Sequence, residues 1–255
     1  METLSQSGAV HREISARDRL IVALDFEDRG SALGLVRTLG EAASFYKVGY
    51  RLFFSEGLPI LDELRAMGKR VFLDLKLDDI PETIQYATGV VAGKAAFLTL
   101  AGGAGTARAA FAGRGDHEEP KLLGVPVLSS LGEEDLRALV PGSEASGPGF
   151  LIRYLLGRSR QALGAGCDGL IASGSAIREV REAFGPEILI VSPGIRPSGS
   201  SSDEHKRSAT PREAILMGAD HLVVGRPIYQ SDDPTGVARA IIDEIEMALR
   251  EPGGG

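Results

Sequence analysis

An α/β protein folded as a single (β/α)8 TIM barrel is what this sequence predicts, on three observations. Short β-type runs alternate with longer helical stretches, the runs number eight, and 255 residues suit one such domain. The runs are Leu20–Leu24, Phe45–Val48, Val71–Leu75, Ala96–Leu100, Leu122–Leu128, Gly169–Ala172, Ile188–Val191 and His221–Val224. Most are apolar enough to be buried on both faces, as strands of a parallel sheet must be. Ser31–Leu39, Leu58–Met67, Pro81–Ala92 and Thr210–Met217 are among the helical stretches between them. Eight β/α units in one domain length favour a closed barrel over an open doubly wound sheet. No G-x-G-x-x-G follows the first run, so a dinucleotide site has no support.

The expected barrel spans residues 18–250. Met1–Arg17 is polar and reads as a flexible extension without the apolar centre of a signal peptide, and residues 251–255 read as a flexible tail. Hydrophobic residues make up 43%, and no apolar run is long enough to cross a membrane. The net charge of −7, with both signs mixed along the chain, argues against nucleic acid as a partner but leaves room for a small anion. Cys167 is the only cysteine, so there is neither an intrachain disulfide nor a cysteine metal site. These features together predict a cytoplasmic protein.

Two stretches interrupt the pattern. Residues 141–149 form a Pro/Gly/Ser linker in the fifth β/α connection, and Gly194–Ser208 is a long polar loop after the seventh run. Loops of that length in a compact domain are active-site lids or disordered segments.

The chemistry concentrates in Val71-Phe-Leu-Asp-Leu-Lys-Leu-Asp-Asp-Ile-Pro81. Strand alternation turns Leu73, Leu75 and Leu77 toward the helices and turns Asp74 and Lys76 into the barrel mouth. Asp79 follows where the chain enters a helix, with Pro81 suited to its first position. Charges facing a barrel interior are costly unless they pair or act. From spacing alone, a structural ion pair with Asp79 as a helix-start anion competes with a catalytic set. Asp25 ends the first run and Lys47 lies in the second. Each alone could be a local salt bridge, but four strand-end charges of alternating sign on three consecutive strands are hard to explain as packing.

A phosphate site is expected from the loops after the seventh and eighth runs, Ser192-Pro193-Gly-Ile-Arg196 and Val224-Gly225-Arg226. Gly225 lets backbone N–H groups approach an anion and Arg226 can contact it in bidentate fashion; a plain turn is the alternative. His205 lies in the lid and can touch a ligand, His221 opens a strand and reads as structural, and His11 and His117 read as loop residues. No spacing suggests a metal cage. Ala-Gly-Gly-Ala-Gly at 101–105 reads as a tight turn into a helix, with an oxyanion contact as the functional alternative.

Leu-Asp-Leu-Lys-Leu-Asp-Asp-Ile-Pro, Tyr-Lys-Val-Gly, Ser-Pro-Gly-Ile-Arg-Pro and Val-Val-Gly-Arg-Pro-Ile, in this setting, resemble the motifs of the orotidine 5′-phosphate decarboxylase family, from about Arg19 to the last helix. The resemblance implies that orotidine 5′-monophosphate becomes uridine 5′-monophosphate and CO2, as in pyrimidine biosynthesis, with no cofactor. It implies Asp74 beside the substrate carboxylate, Lys76 as the proton donor to C6, and Lys47 as the link from Asp74 to the ribose. It implies a homodimer with shared active sites: Asp79 braces the partner's lysine, and Thr83 reaches the partner's ribose, whose hydroxyls Asp25 also binds. Ser129 contacts the pyrimidine, while Gly225 and Arg226 hold the phosphate under the lid.

That assignment is physically coherent. Loss of CO2 leaves a carbanion at C6 with no conjugated sink, which a fixed ammonium stabilises and then protonates. The chain departs from the family pattern at Thr99, where histidine is frequent, at His205 in place of a lid glutamine, and at Ser129 in place of threonine. These departures concern lid and interface contacts and leave the charged set whole. Two rivals remain. Sugar-phosphate lyases similar to this family hold magnesium with a glutamate where this chain has Lys47, and lysine cannot ligate that ion. A catalytically idle phosphosugar-binding protein is the other.

Overall fold

Apolar strands on one scaffold can bury both faces only if helices cover the outside, and the chain alternates accordingly. The computed structural model describes residues 14–140, 147, 149–197 and 208–251. Its first part runs α1 (Ala16–Arg19), β1 (Leu20–Ala23), α2 (Arg29–Leu39), a 3-10 turn at Gly40–Ala42, β2 (Phe45–Gly49), α3 (Tyr50–Glu56), α4 (Pro59–Ala66), β3 (Arg70–Leu77), α5 (Pro81–Val91) and β4 (Phe97–Leu100). Then follow α6 (Ala104–Arg114), β5 (Lys121–Gly124), α7 (Glu133–Leu139), α8 (Phe150–Gly164), β6 (Gly169–Ile171), α9 (Ala176–Phe184), β7 (Leu189–Ser192), α10 (Pro211–Leu216), β8 (His221–Val224), α11 (Arg226–Tyr229) and α12 (Pro234–Leu249). The strands pair in chain order, all parallel, and β8 closes on β1.

The core has two layers. Val22, Leu24, Val48, Leu73, Leu98 and Leu222 face outward under the helices. Ile21, Phe45, Phe72, Phe97, Leu123, Val191 and Val223 fill the barrel. Neighbouring residues on a strand fall in different layers, which is the period-two rule at work. The barrel floor is aromatic: Phe97 lies 5.0 Å from Phe45 and 5.1 Å from His221, and the Arg70 guanidinium sits 4.4 Å over Phe45. On the outside α5 and α6 approach closely, and a side-chain carbon at Gly113 would strike the Gln85 carbonyl.

Several element boundaries differ from expectation, most by a single residue and a few by more. β5 ends at Gly124, four residues before the expected Leu128, because Pro126 lacks the N–H that a ladder needs. β3 runs on to Leu77, two residues past the expected Leu75. Helix α1 begins at Ala16, capped by the Ser15 side chain, which accepts the Asp18 N–H, so ordered chain starts before residue 18. Glu251 is tied to Arg212 by two hydrogen bonds of 2.8 and 2.6 Å, while residues 1–13 and 252–255 lie outside the described residues. Of the expected linker at 141–149, only Gly147 and Gly149 are described. Among the described residues, no helix is long and apolar enough to cross a membrane.

Candidate active site

At the C-terminal mouth of the barrel, the residue after the outward-facing Leu24 is Asp25, and the inward positions of β2 and β3 are Lys47, Asp74 and Lys76. Register places Ala23 beside Lys47 and Gly49 beside Asp74, which brings the four charges together. Lys47 Nζ donates to Asp25 Oδ1 at 2.9 Å and faces Asp74 Oδ2 at 3.7 Å. Lys76 Nζ donates to Asp74 Oδ1 at 2.7 Å. The result is a row of alternating sign, Asp25, Lys47, Asp74 and Lys76. Gly49 makes room for it, since a side-chain carbon there would come 2.9 Å from Lys47 Nζ.

Burial pushes the Asp74 carboxyl up, but the Lys47 and Lys76 ammonium groups and hydrogen bonds from Lys76 and Thr99 more than offset it. The net effect holds Asp74 below the usual carboxylate range, so it is an anion at neutral pH. A lysine can lend three protons, and one of those on Lys76 is engaged by Asp74.

β3 is irregular here. Its register against β4 shifts between Leu73 and Leu77, and Lys76 has φ +47°. A long side chain in the left-handed region costs on the order of 1–3 kcal/mol and persists only where its surroundings hold it. The holding group is Thr99 on β4. Its hydroxyl accepts the Lys76 N–H at 2.9 Å and donates to Asp74 Oδ1 at 2.9 Å. The sequence marked Thr99 only as a departure. Alternation along β4, with Phe97 inside the barrel, was the available sign that Thr99 also faces the interior.

The other predicted residues divide by position. Asp79 and Thr83 are exposed at the start of α5, and the Asp79 carboxylate accepts the N–H of its own neighbour Ile80 at 2.6 Å. Among the described residues, Asp79 forms no ion pair with Lys76 of its own chain. The adjacent Asp78 anchors this loop instead, accepting the Thr106 hydroxyl at 3.1 Å. Gly225 and Arg226 stand at the entry to α11, and Gly225 approaches Asp25 and Tyr229. Burial, reinforced by Asp25, pushes the Tyr229 hydroxyl up, so it stays protonated as a donor beside the mouth. Tyr229 was not singled out in the sequence because its position depends on the turn after β8. Pro193 and Arg196 follow β7, where the bridge between Ile195 and Ala209 and the Arg196 N–H donated to Ala209 O at 3.0 Å close the base of the expected lid. Residues 198–207, and His205 with them, lie outside the described residues. Ser129 sits in a turn five residues beyond the end of β5, rather than directly after the strand.

Two expectations of an unreactive role hold. Cys167 is buried, and burial pushes its thiol up to about 12. His221 is buried in the floor and donates through Nδ1 to the Asp18 carbonyl at 3.0 Å, the tautomer that a carbonyl partner requires. The 101–105 segment turns into α6, and Gly102 packs where any side chain would strike Thr106 and Asp78. Among the described residues, no group of three His, Cys, Asp or Glu side chains is placed to hold a metal ion.

Known proteins resemble this chain in sequence and in fold. The family model described as "Orotidine 5′-phosphate decarboxylase / HUMPS family" matches residues 18–241. The orotidine 5′-phosphate decarboxylase of Nitrobacter winogradskyi is 47% identical over 241 residues, covering 94% of this chain and 98% of that protein. That of a Methylobacterium species is 43% identical over 238 residues, covering 92% and 98%. The crystal structure of the Lactobacillus acidophilus orotidine 5′-phosphate decarboxylase superposes with a TM-score of 0.74 at 32% identity, covering 88% of this chain and 97% of that one. At this identity over nearly its whole length, the chain belongs to the orotidine 5′-phosphate decarboxylase / HUMPS family.

Proposed function

We propose that this protein decarboxylates orotidine 5′-monophosphate to uridine 5′-monophosphate in the cytoplasm, without metal or organic cofactor. The observation that carries the reading is the row Asp25–Lys47–Asp74–Lys76. With substrate bound, its carboxylate lies against Asp74 and Lys76. The C6–CO2 bond breaks, the electron pair stays on C6 beside the Lys76 ammonium, and Lys76 then gives C6 its proton. Lys47 and Asp25 orient the ribose. Arg226, Gly225, Pro193, Arg196 and Ser129 surround phosphate and base, with His205 contributing from the lid; this remote binding energy orders the site.

The family also includes HUMPS members, and Lys47 separates the two chemistries. Its ammonium sits between Asp25 and Asp74, supplying positive charge where a magnesium-dependent lyase would need another oxygen ligand. Release of CO2 from orotidine 5′-monophosphate by metal-free protein is the expected result. An inert protein, or one dead after chelation and revived by magnesium, defeats the reading.

In this proposal the active form is a twofold dimer in which Asp79 and Thr83 complete the partner's site. Supporting it, both residues are exposed, as are Ile80 and Tyr86 beside them, and the Asp79 carboxylate bonds its neighbour Ile80 and not the Lys76 of its own chain. Lys76→Ala and Asp79→Ala homodimers should each be nearly inactive. Mixed and reassembled at random, they should recover roughly a quarter of wild-type activity, because half the dimers are hetero and half their sites are intact. Activity that stays at the parental level despite confirmed subunit exchange rules out the shared site.

A further inference from the structure

We propose that Thr99 is the positioning residue that holds Lys76 in its proton-donating pose, through one hydroxyl shared between the Lys76 backbone and the Asp74 carboxylate. The inference rests on the reading of Lys76 and Asp74 as the reacting pair. Thr99 is fully buried in β4, so it acts through its neighbours and not on the substrate.

The hydrogen-bond directions leave one arrangement. The Lys76 N–H can only donate and the Asp74 carboxylate can only accept. The Thr99 hydroxyl therefore takes the first at 2.9 Å and must send its own proton to the second at 2.9 Å. Neither contact has a ready substitute. The register shift between Leu73 and Leu77 interrupts the ladder to β4 around Lys76, and Thr99 takes up the amide there. Asp74 Oδ1 accepts both Lys76 Nζ and Thr99, while its Oδ2 stands 3.7 Å from Lys47 Nζ, beyond hydrogen-bond reach. Thr99 thus couples two things the chemistry needs. It keeps the backbone of Lys76 at φ +47°, and it orients the carboxylate on which Nζ rests. Without the hydroxyl, the Lys76 amide loses its partner and the backbone can relax toward ordinary strand geometry, carrying Nζ off its mark. Valine keeps the shape of threonine and removes the hydroxyl; serine keeps the hydroxyl and removes the methyl.

Thr99→Val and Thr99→Ser should be measured beside wild type and Lys76→Ala. In Thr99→Val, kcat should fall roughly 10- to 100-fold, the scale of a displaced reacting group. Affinity for uridine 5′-monophosphate should stay within about threefold, and Thr99→Ser should stay within about threefold of wild-type kcat. The acid limb of kcat/KM should move to higher pH in Thr99→Val alone, because Asp74 loses a donor that favours its anion. If valine prevents folding, Thr99→Ala asks the same question without the branched methyl. A valine or alanine variant with wild-type kcat overturns the proposal, as does equal impairment of the valine and serine variants. So does a loss confined to KM. A crystal structure of Thr99→Val gives a reading independent of turnover: Lys76 leaves positive φ if the proposal is right, and retention of φ and of the Nζ–Asp74 contact overturns it. Active wild type, dead Lys76→Ala and normal Thr99→Val would defeat this inference and spare the proposed function; inert wild type would defeat the function instead.

Discussion

The two ends of the barrel use the same ingredients to opposite ends. Where strands begin, Asp168 Oδ2 accepts Arg114 Nη1 at 2.6 Å and the Leu122 N–H at 2.7 Å. Two strands further round, Asp220 Oδ2 accepts Arg181 Nη2 at 2.8 Å and the Ile190 N–H at 2.7 Å. In both, an aspartate just before one strand is clamped to the backbone of the strand before it and to an arginine from a helix. Arg181 also donates to Gly185, Ile188 and Gly218 carbonyls. Where strands end, Asp74 has a side-chain exposure of 15%, against 16% for Asp220, so burial does not distinguish them. Saturation does. The fixed fork of Arg181 is spent on three carbonyls and a carboxylate at the bottom, while at the top flexible lysines share carboxylates and keep protons in reserve. The lesson is that a buried ion pair becomes a candidate site only when its partners are incompletely satisfied.

The largest expected effect is at the top. Lys76→Ala should lower kcat by at least roughly 10²–10³-fold, the usual loss for one preorganised electrostatic group. Its unfolding midpoint should hold or rise, because the carboxylate it leaves behind still has Lys47 and Thr99. Near-normal turnover would erase the distinction between the ends.

Next comes the bottom. Arg114→Ala strands Asp168 and should cost about 3 kcal/mol in denaturant unfolding, the scale for breaking one side of a buried pair. The kcat of the remaining folded protein should be unchanged. A variant of normal stability and low kcat would mean that this end, too, serves chemistry.

A smaller effect belongs to the room around Lys47. Gly49→Ala places a carbon against Lys47 Nζ and should reduce kcat/KM on the order of tenfold with little change in stability. If activity is retained, Lys47 has more freedom than the row of charges implies.

The smallest effect is a slope. Burial, reinforced by Arg70, pushes His221 down to about 3 from its ordinary 6.5. The unfolded chain therefore binds the extra proton between these values. The contribution of neutral His221 is whole above about 6.5 and is lost as pH falls toward 3, by at most about 1.4 kcal/mol per pH unit. Unfolding midpoints at several pH values should show a shallower slope for His221→Asn than for wild type. Identical slopes would assign acid sensitivity to other groups, such as Asp74, whose depressed carboxyl also loses stability as pH falls.

By itself the sequence determined the eight strands, their closure as a barrel, the inward turn of Asp74 and Lys76 and the strand-end places of Asp25 and Lys47. Each follows from a local rule: buried parallel strands are apolar throughout, and side chains alternate with period two. It also marked Asp79 as a carboxylate at a helix start, but Thr83 and the partner-site role of both came only through family resemblance, since nothing local says which way the start of a helix faces. Tertiary structure decided the rest. The shortened β5 depends on where Pro126 meets the ladder. The positive φ of Lys76 depends on a register shift between β3 and β4, and the use of Thr99 on two residues 23 and 25 positions away in the chain. The clamps at Asp168 and Asp220 join groups up to 54 residues apart. A period can be read along one segment. A register and a shared hydrogen bond exist only once two segments lie side by side, so the outline of the site is written locally and its exact pose is not.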